Sequence, residues 1–252
     1  MIIKTKLYDG NVELFFENFK HLYTFNGKKV TSVTQALSVI NKPALVSWAA
    51  NSAIDYVSTQ ISPGKSYDEL ELQAIFEAGR KSHYNKKTEA GNIGTFVHKW
   101  VEDYIKGTPQ GMPVNEDLKE AVEKFLGWVD KHKVTFLKSE QQVFSKKYLF
   151  TGTLDFICKI DGKLYIGDLK TSSGIYPEYL VQTAAYRFAR TEEFPEEKYT
   201  GQLIVRVGKD GSFEFAVMRD DNWYRKMFVA FLAALKLQES LEEIKDFKVD
   251  RE

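Results

Sequence analysis

The run Gly152-Thr153-Leu154-Asp155-Phe156-Ile157-Cys158-Lys159-Ile160-Asp161-Gly162-Lys163-Leu164-Tyr165-Ile166-Gly167-Asp168-Leu169-Lys170 reads as a β-hairpin. Two runs rich in β-branched and apolar residues flank Asp161-Gly162, a dipeptide that readily takes the positive φ angles of a two-residue hairpin turn. With those two residues as the loop, Ile160 pairs with Lys163. Antiparallel partners keep a constant sum of residue numbers, so Asp155 falls opposite Asp168, with Cβ atoms about 4.5–5.5 Å apart. Lys170, two residues further on, shares the face of Asp168 because side chains alternate along a strand. By the same parity Cys158 points to the other face of the strand from Asp155, which assigns it to the core.

Facing carboxylates destabilise a strand pair unless something compensates. A divalent cation does so: hard oxygen ligands suit Mg²⁺ or Mn²⁺, and a nearby lysine can orient the attacking water and stabilise charge on a phosphate. On the hairpin alone a second reading stays open, a solvent-facing ribbon whose charges keep it soluble.

Outward from the hairpin, segment 135–147 reads as a preceding strand, followed downstream by a helix at 177–190, strands at 199–207 and 212–218, and a closing helix at 220–245. Upstream, Asn26-Gly27 predicts a tight hairpin between 21–25 and 28–31, and Ser32 or Thr34 can cap a helix. Helices are expected at 44–60, 67–90, 93–106 and 116–132, with a loop at 107–113. The order fits an α/β fold with a mixed central sheet flanked by helices and an N-terminal helical lobe. The expected division is 1–110, hairpin and helical lobe, and 111–252, the core, in one integrated unit.

Composition narrows the function classes. The 252 residues carry 35 Lys plus Arg against 35 Asp plus Glu, so no global positive field announces a nucleic-acid binder and any such contact must be local. A single cysteine excludes an intramolecular disulfide and an iron–sulfur cluster within the chain. Residues 1–8 lack the basic and apolar segments of a secretory signal, and the apolar run at 227–235 falls short of the roughly 20 residues of a membrane span. The expectation is a soluble cytoplasmic protein without membrane contact.

Gly152-x-x-Asp155, then Asp168-Leu169-Lys170-Thr171-Ser172, then Gln182-x-x-x-Tyr186 resembles the RecB-like branch of the PD-(D/E)XK nucleases. Gly94-Thr95-Phe96-Val97-His98-x-x-x-Glu102 resembles that branch's helical histidine motif. The resemblance implies a restriction-endonuclease-like core. It implies that His98, Asp155, Asp168 and the Leu169 carbonyl bind the metal, that Lys170 is the catalytic lysine, and that Gln182 and Tyr186 brace the lysine or the substrate backbone. A histidine ligand favours Mn²⁺ over Mg²⁺. Glu102 steers the imidazole, reaches the metal through water, or pairs with Lys106; Glu140 is an outer carboxylate or a solvated strand acid. His21, His83 and His132 are read as packing or surface residues. The segments 31–34, 41–45 and 48–50 resemble the start of phage-type and mitochondrial-genome-maintenance-type exonucleases.

The activity so implied is metal-dependent hydrolysis of DNA, by an exonuclease that prefers single strands. Alternatives are a silent DNA-binding or recombination scaffold of the same fold, a structure-specific endonuclease, and a carboxylate-pair glycosidase, which would work without metal. Arg80, Lys81, Lys86 and Lys87, and separately Lys146 and Lys147, are locally basic with aromatic neighbours, and suit phosphate contact and base stacking or plain solvation.

Overall fold

The computed structural model describes residues 1–40, 42–108, 111–245 and 247. Asn41 of the 41–45 segment and Pro109 and Gln110 of the expected 107–113 loop lie outside the described residues. In chain order the elements are β1 (Ile2–Leu7), β2 (Val12–Glu17), β3 (Leu22–Phe25), β4 (Lys28–Ser32), α1 (Val33–Ala36), α2 (Pro43–Gln60), α3 (Glu69–Ile105) and α4 (Glu116–Lys131). They continue with β5 (Thr135–Ser145), β6 (Phe150–Ile160), β7 (Lys163–Lys170), α5 (Pro177–Glu193), β8 (Tyr199–Val207), β9 (Phe213–Met218) and α6 (Asp221–Ile244).

The nine strands form one mixed sheet in the order β1-β2-β3-β4-β6-β7-β8-β9, with β5 also paired to β6. The class is α/β, as the alternation of periods predicts. Both dipeptide turns form with positive φ, 50° and 74° at Asn26-Gly27 and 51° and 74° at Asp161-Gly162. Ile160 pairs with Lys163, and the ladder runs on to Phe156 opposite Gly167.

β6 is the strand on which the site depends. Along one edge it pairs with β5 from Phe150 to Lys159. Its other edge is shared: β4 runs parallel to Phe150 and Thr151, and β7 runs antiparallel from Phe156 onward. The sheet therefore forks between Thr151 and Phe156, and Asp155 lies in the fork.

Two glycines let side chains close around it. A Cβ on Gly152 would lie 2.6 Å from Cε1 of Tyr186, so its absence lets α5 seat that ring on β6. A Cβ on Gly167 would lie 1.9 Å from the ring of Phe156. The apolar core joins Leu154, Ile157 and Ile166 to Ala184 and Ala185 of α5 and Phe228, Phe231 and Leu235 of α6. A second aromatic set links Phe125 and Trp128 of α4 to Phe136 and Phe213, and through Phe136 to Phe156.

Two compact units result, one of residues 1–40 with 98–252, the other 41–97. This division differs from a boundary at 110, because β4 joins β6 and so draws the N-terminal strands into the sheet. β1 and β2 go beyond what the sequence leads one to expect. The separate helices at 67–90 and 93–106 are one helix, α3, which continues through Gly91 and Gly94. Within the smaller unit, α2 and α3 touch through small residues. Gly79 faces Val57 and Ala53, and Ser82 Oγ donates to the Ser52 carbonyl (2.9 Å).

Candidate active site

Where the ladder between β6 and β7 stops, side-chain bonds replace it. Asp155 and Asp168 are the next pair in register, and Asp155 Oδ2 accepts the backbone N–H of Leu169 at 2.6 Å. On the other side of β6, Ser139 pairs with Phe156 and Gln141 with Leu154, so Glu140 stands across from Asp155. Glu140 has φ +49°, a left-handed conformation that costs a non-glycine residue energy. Three carboxyls, Glu140, Asp155 and Asp168, thus stand in sequence across three neighbouring strands.

His98, near the C-terminal end of α3, brings Nδ1 to 3.9 Å from Asp155 Oδ2. Ligand atoms of His98, Glu140 and Asp155 all lie within 4.8 Å of one another. Burial pushes the His98 pKa down, Asp168 opposes that and Lys170 adds to it, so the imidazole favours its neutral, ligating form. A small recess beside this trio is lined by His98, Glu102, Glu140, Asp155 and Leu169, among others. Glu102 ion-pairs with Lys106 and, at 3.7 Å, with Lys99, the helix pairing that the spacing allows.

The carboxyls are crowded. Burial raises Asp155 to about 6 against the pull of Lys170 and the Leu169 N–H. Burial, then Asp155, raises Asp168 to about 7 although Lys170 opposes it. Glu140 is exposed over part of its side chain, yet loss of water around its carboxyl, then Asp155 and Glu102, raise it to about 7. Asp168 is 1% exposed, and its Oδ2 accepts no well-aligned hydrogen bond although Lys170 Nζ lies 2.6 Å away. Three crowded carboxyls whose charge is suppressed by burial, beside a neutral imidazole, fit a divalent cation. Among the described residues, His98, Glu140 and Asp155 can hold one. Asp168 stands outside that trio, with its carboxylate turned to Lys170.

Lys170 ends a chain of hydrogen bonds. Its Nζ donates to Gln182 Oε1 (3.1 Å), and Gln182 Nε2 donates to Tyr186 Oη (2.9 Å). Burial works against the Lys170 charge, but Asp168 and Asp155 outweigh it and raise its pKa, so the side chain is an ammonium. Gln182 and Tyr186, four residues apart on α5, share a helix face, and Gly152 admits the Tyr186 ring. The Gly152, Gln182 and Tyr186 of the sequence pattern are therefore one packing arrangement that orients Lys170.

The expected basic residues divide between the two units. Arg80, Lys81, Lys86 and Lys87 are exposed on α3 in the smaller unit, with Arg80 paired to Glu77 at 2.8 Å. Lys146 and Lys147 are exposed in the turn between β5 and β6, where Lys146 lies 3.8 Å from the Tyr8 ring centroid. Cys158 is buried and its thiol is pushed up to about 12, as a core position predicts. His132 packs against Trp128 and Phe215. Of the tryptophans, Trp100 and Trp128 are core residues, whereas Trp48 and Trp223 are exposed.

No family model matches the chain, and no curated protein does. Among solved structures it is similar to a "putative exonuclease" from Eubacterium rectale, with 11% identity and a TM-score of 0.40, covering 63% of this chain and 76% of that one. It is also similar to the protein SSO0001, with 14% identity and a TM-score of 0.32, covering 80% of this chain and 81% of the other. No helix among the described residues is long and apolar enough to cross a membrane.

Proposed function

We propose that this chain is a metal-dependent deoxyribonuclease of the PD-(D/E)XK kind, hydrolysing phosphodiester bonds at the fork of β6. The observation that carries the reading is the set of Glu140, Asp155 and Asp168 crowded beside His98, with a charged Lys170 held by Gln182. His98, Asp155, Asp168 and the Leu169 carbonyl are the proposed ligands, with Glu140 added because its carboxylate lies within the trio. Mg²⁺ or Mn²⁺ bound there supplies Lewis acidity toward the phosphate and lowers the pKa of water.

The residues then divide the work. Water attacks phosphorus and loses a proton while the P–O bond to the leaving nucleotide breaks and that oxygen gains one. Lys170, as an ammonium, is no base at neutral pH; it donates hydrogen bonds to the phosphoryl oxygen or the attacking water and stabilises the developing charge. Gln182 and Tyr186 fix its direction. No covalent enzyme intermediate is required.

We assign the activity to an exonuclease that needs a free end and prefers single-stranded DNA, with Arg80, Lys81, Lys86, Lys87, Lys146 and Lys147 as phosphate contacts. The test is digestion of end-labelled single- and double-stranded DNA with Mn²⁺, Mg²⁺ or chelator, alongside linear and covalently closed circular single strands of one sequence. Cleavage of the linear single strand that chelator abolishes is expected. Equal digestion of the circle makes the enzyme an endonuclease, activity in chelator removes the metal, and binding without cleavage makes the chain a scaffold.

A further inference from the structure

Between Lys170 and the start of α5 at Pro177 the chain makes a short loop, 171–176, which the catalytic reading leaves without a task. It is held at several points. Arg206, 2% exposed and next to Lys170 across the parallel pairing of β7 with β8, donates from Nη1 to the Ser172 carbonyl at 3.0 Å. The other end of that guanidinium binds Ser212 Oγ (2.6 Å) and Glu214 (3.2 Å). Ser172 Oγ donates to the Gly174 carbonyl (2.8 Å), and Ser173 Oγ shares a 2.8 Å hydrogen bond with Tyr176 Oη.

Two aromatic rings lie in series from the catalytic lysine, Tyr179 in the first turn of α5 and Tyr176 at the end of the loop. The Tyr179 ring centroid lies 4.8 Å from Lys170 Nζ. The Tyr176 ring meets Tyr179 edge to face, with centroids 5.6 Å apart at 81°, and 40% of Tyr176 remains exposed. The Tyr176 ring is therefore no farther from Lys170 Nζ than those two distances laid end to end. That is a reach of a few nucleotides, each of which advances a stacked strand by about 3.4 Å.

A partly open aromatic ring, tethered at its hydroxyl and backed by a second ring, is already in place before a ligand arrives. Its ordering cost is met in folding rather than in binding. Every nucleobase has a π-face, so such a ring takes any base and is blind to sequence. Lys170, beyond Tyr179, is the group that faces a phosphate. We propose that Tyr176 is a stacking platform for a nucleobase of the strand whose phosphate lies at Lys170, with Tyr179 seating the platform against the catalytic lysine. The platform rests on the nuclease reading but is tested by binding, so the two can fail separately.

The test uses the full chain, a mixed-sequence single-stranded oligonucleotide and a series in which an abasic site replaces each nucleotide in turn, with affinity read by fluorescence anisotropy in Ca²⁺. Tyr176→Ala and Tyr176→Leu, the second retaining apolar bulk, should each weaken binding of the intact strand about tenfold, within the range for a lost base stack. Tyr176→Phe, which keeps the ring and loses only its tether to Ser173, should restore most of it. With the wild type, one or two adjacent abasic positions should cost a similar factor, and that cost should vanish in Tyr176→Ala and Tyr176→Leu. Unchanged affinity in both variants, or abasic losses that persist in them, overturns the platform, as does a wild type that does not bind the strand. Binding with this pattern but without cleavage in Mn²⁺ upholds the platform and overturns the nuclease.

Discussion

Lys170 is half-buried beside two carboxylates, and its charge persists because they are there. Removing the amine should therefore leave substrate and metal binding in place while the rate collapses, since its hydrogen bonds strengthen as charge builds on the phosphate. For Lys170→Ala a fall in kcat of roughly 10²–10³ is expected, the scale for loss of one charge-stabilising donor. Single-turnover cleavage in Mn²⁺ checks it, and a near wild-type rate would make Lys170 a bystander. His98 is a neutral ligand, so His98→Ala should weaken Mn²⁺ binding less than Glu140→Gln, which removes a charge from the trio. Calorimetry decides. If Glu140→Gln binds Mn²⁺ as the wild type does, Glu140 leaves the ligand set.

At the scale of elements, glycine substitutions of opposite sign separate packing from propensity. Gly152→Ala drives a methyl into the buried Tyr186 ring, and because Tyr186 holds Gln182 and Gln182 holds Lys170, the loss should reach catalysis as well as stability. Overpacking of this kind costs about 1–3 kcal/mol. Gly91, inside α3, has open space where an alanine methyl would stand, with nothing within 4 Å, and Gly91→Ala should stabilise by about 0.5–1 kcal/mol with activity intact. Urea denaturation with parallel cleavage assays checks both; a Gly152→Ala enzyme with full kcat would uncouple Tyr186 from the lysine. How far these elements are legible in the sequence follows from the same physics. The hairpin of β6 and β7 can be placed to the residue because Asp161-Gly162 has only one comfortable turn. Glu140 can only be named as an outer acid: its register across from Asp155 depends on a four-residue turn ending at Leu149, φ +53°. Leucine gives no sign of positive φ. For β1 and β2 a sign exists, Asp9-Gly10 between two candidate strands, but β1 is mostly exposed and shows little apolar alternation. α3 reads as two helices because glycine propensity argues for a break, whereas a long helix outlasts two weak residues.

For the whole molecule, the crowded carboxyls make a prediction about stability without metal. A carboxyl whose folded-state pKa exceeds its unfolded value binds more protons folded than unfolded. Its contribution to stability is complete below the unfolded pKa and is lost as pH rises through the folded one. For Asp168 that window runs from 3.8 to about 7, and Asp155 and Glu140 act in the same direction up to about 6 and about 7. Carboxyls held below their usual range by ion pairs elsewhere, such as Glu13 and Glu242, act oppositely, so the absolute profile mixes both trends. The difference between wild type and Asp168→Asn isolates one group. In chelator the Asn variant should gain on the wild type between about pH 4.5 and 7.5, by at most roughly 1.4 kcal/mol per unit of pKa and less to the extent that Lys170 loses its partner. Saturating Mn²⁺ should reverse the order at pH 7.5, because a ligand that binds only the folded state stabilises it by mass action and the variant binds it poorly. Denaturant titrations at three pH values, with chelator and with Mn²⁺, give the comparison. Parallel wild-type and variant profiles in chelator would mean that Asp168 is not strained by burial, and a variant that Mn²⁺ stabilises as much as the wild type would take Asp168 out of the metal site.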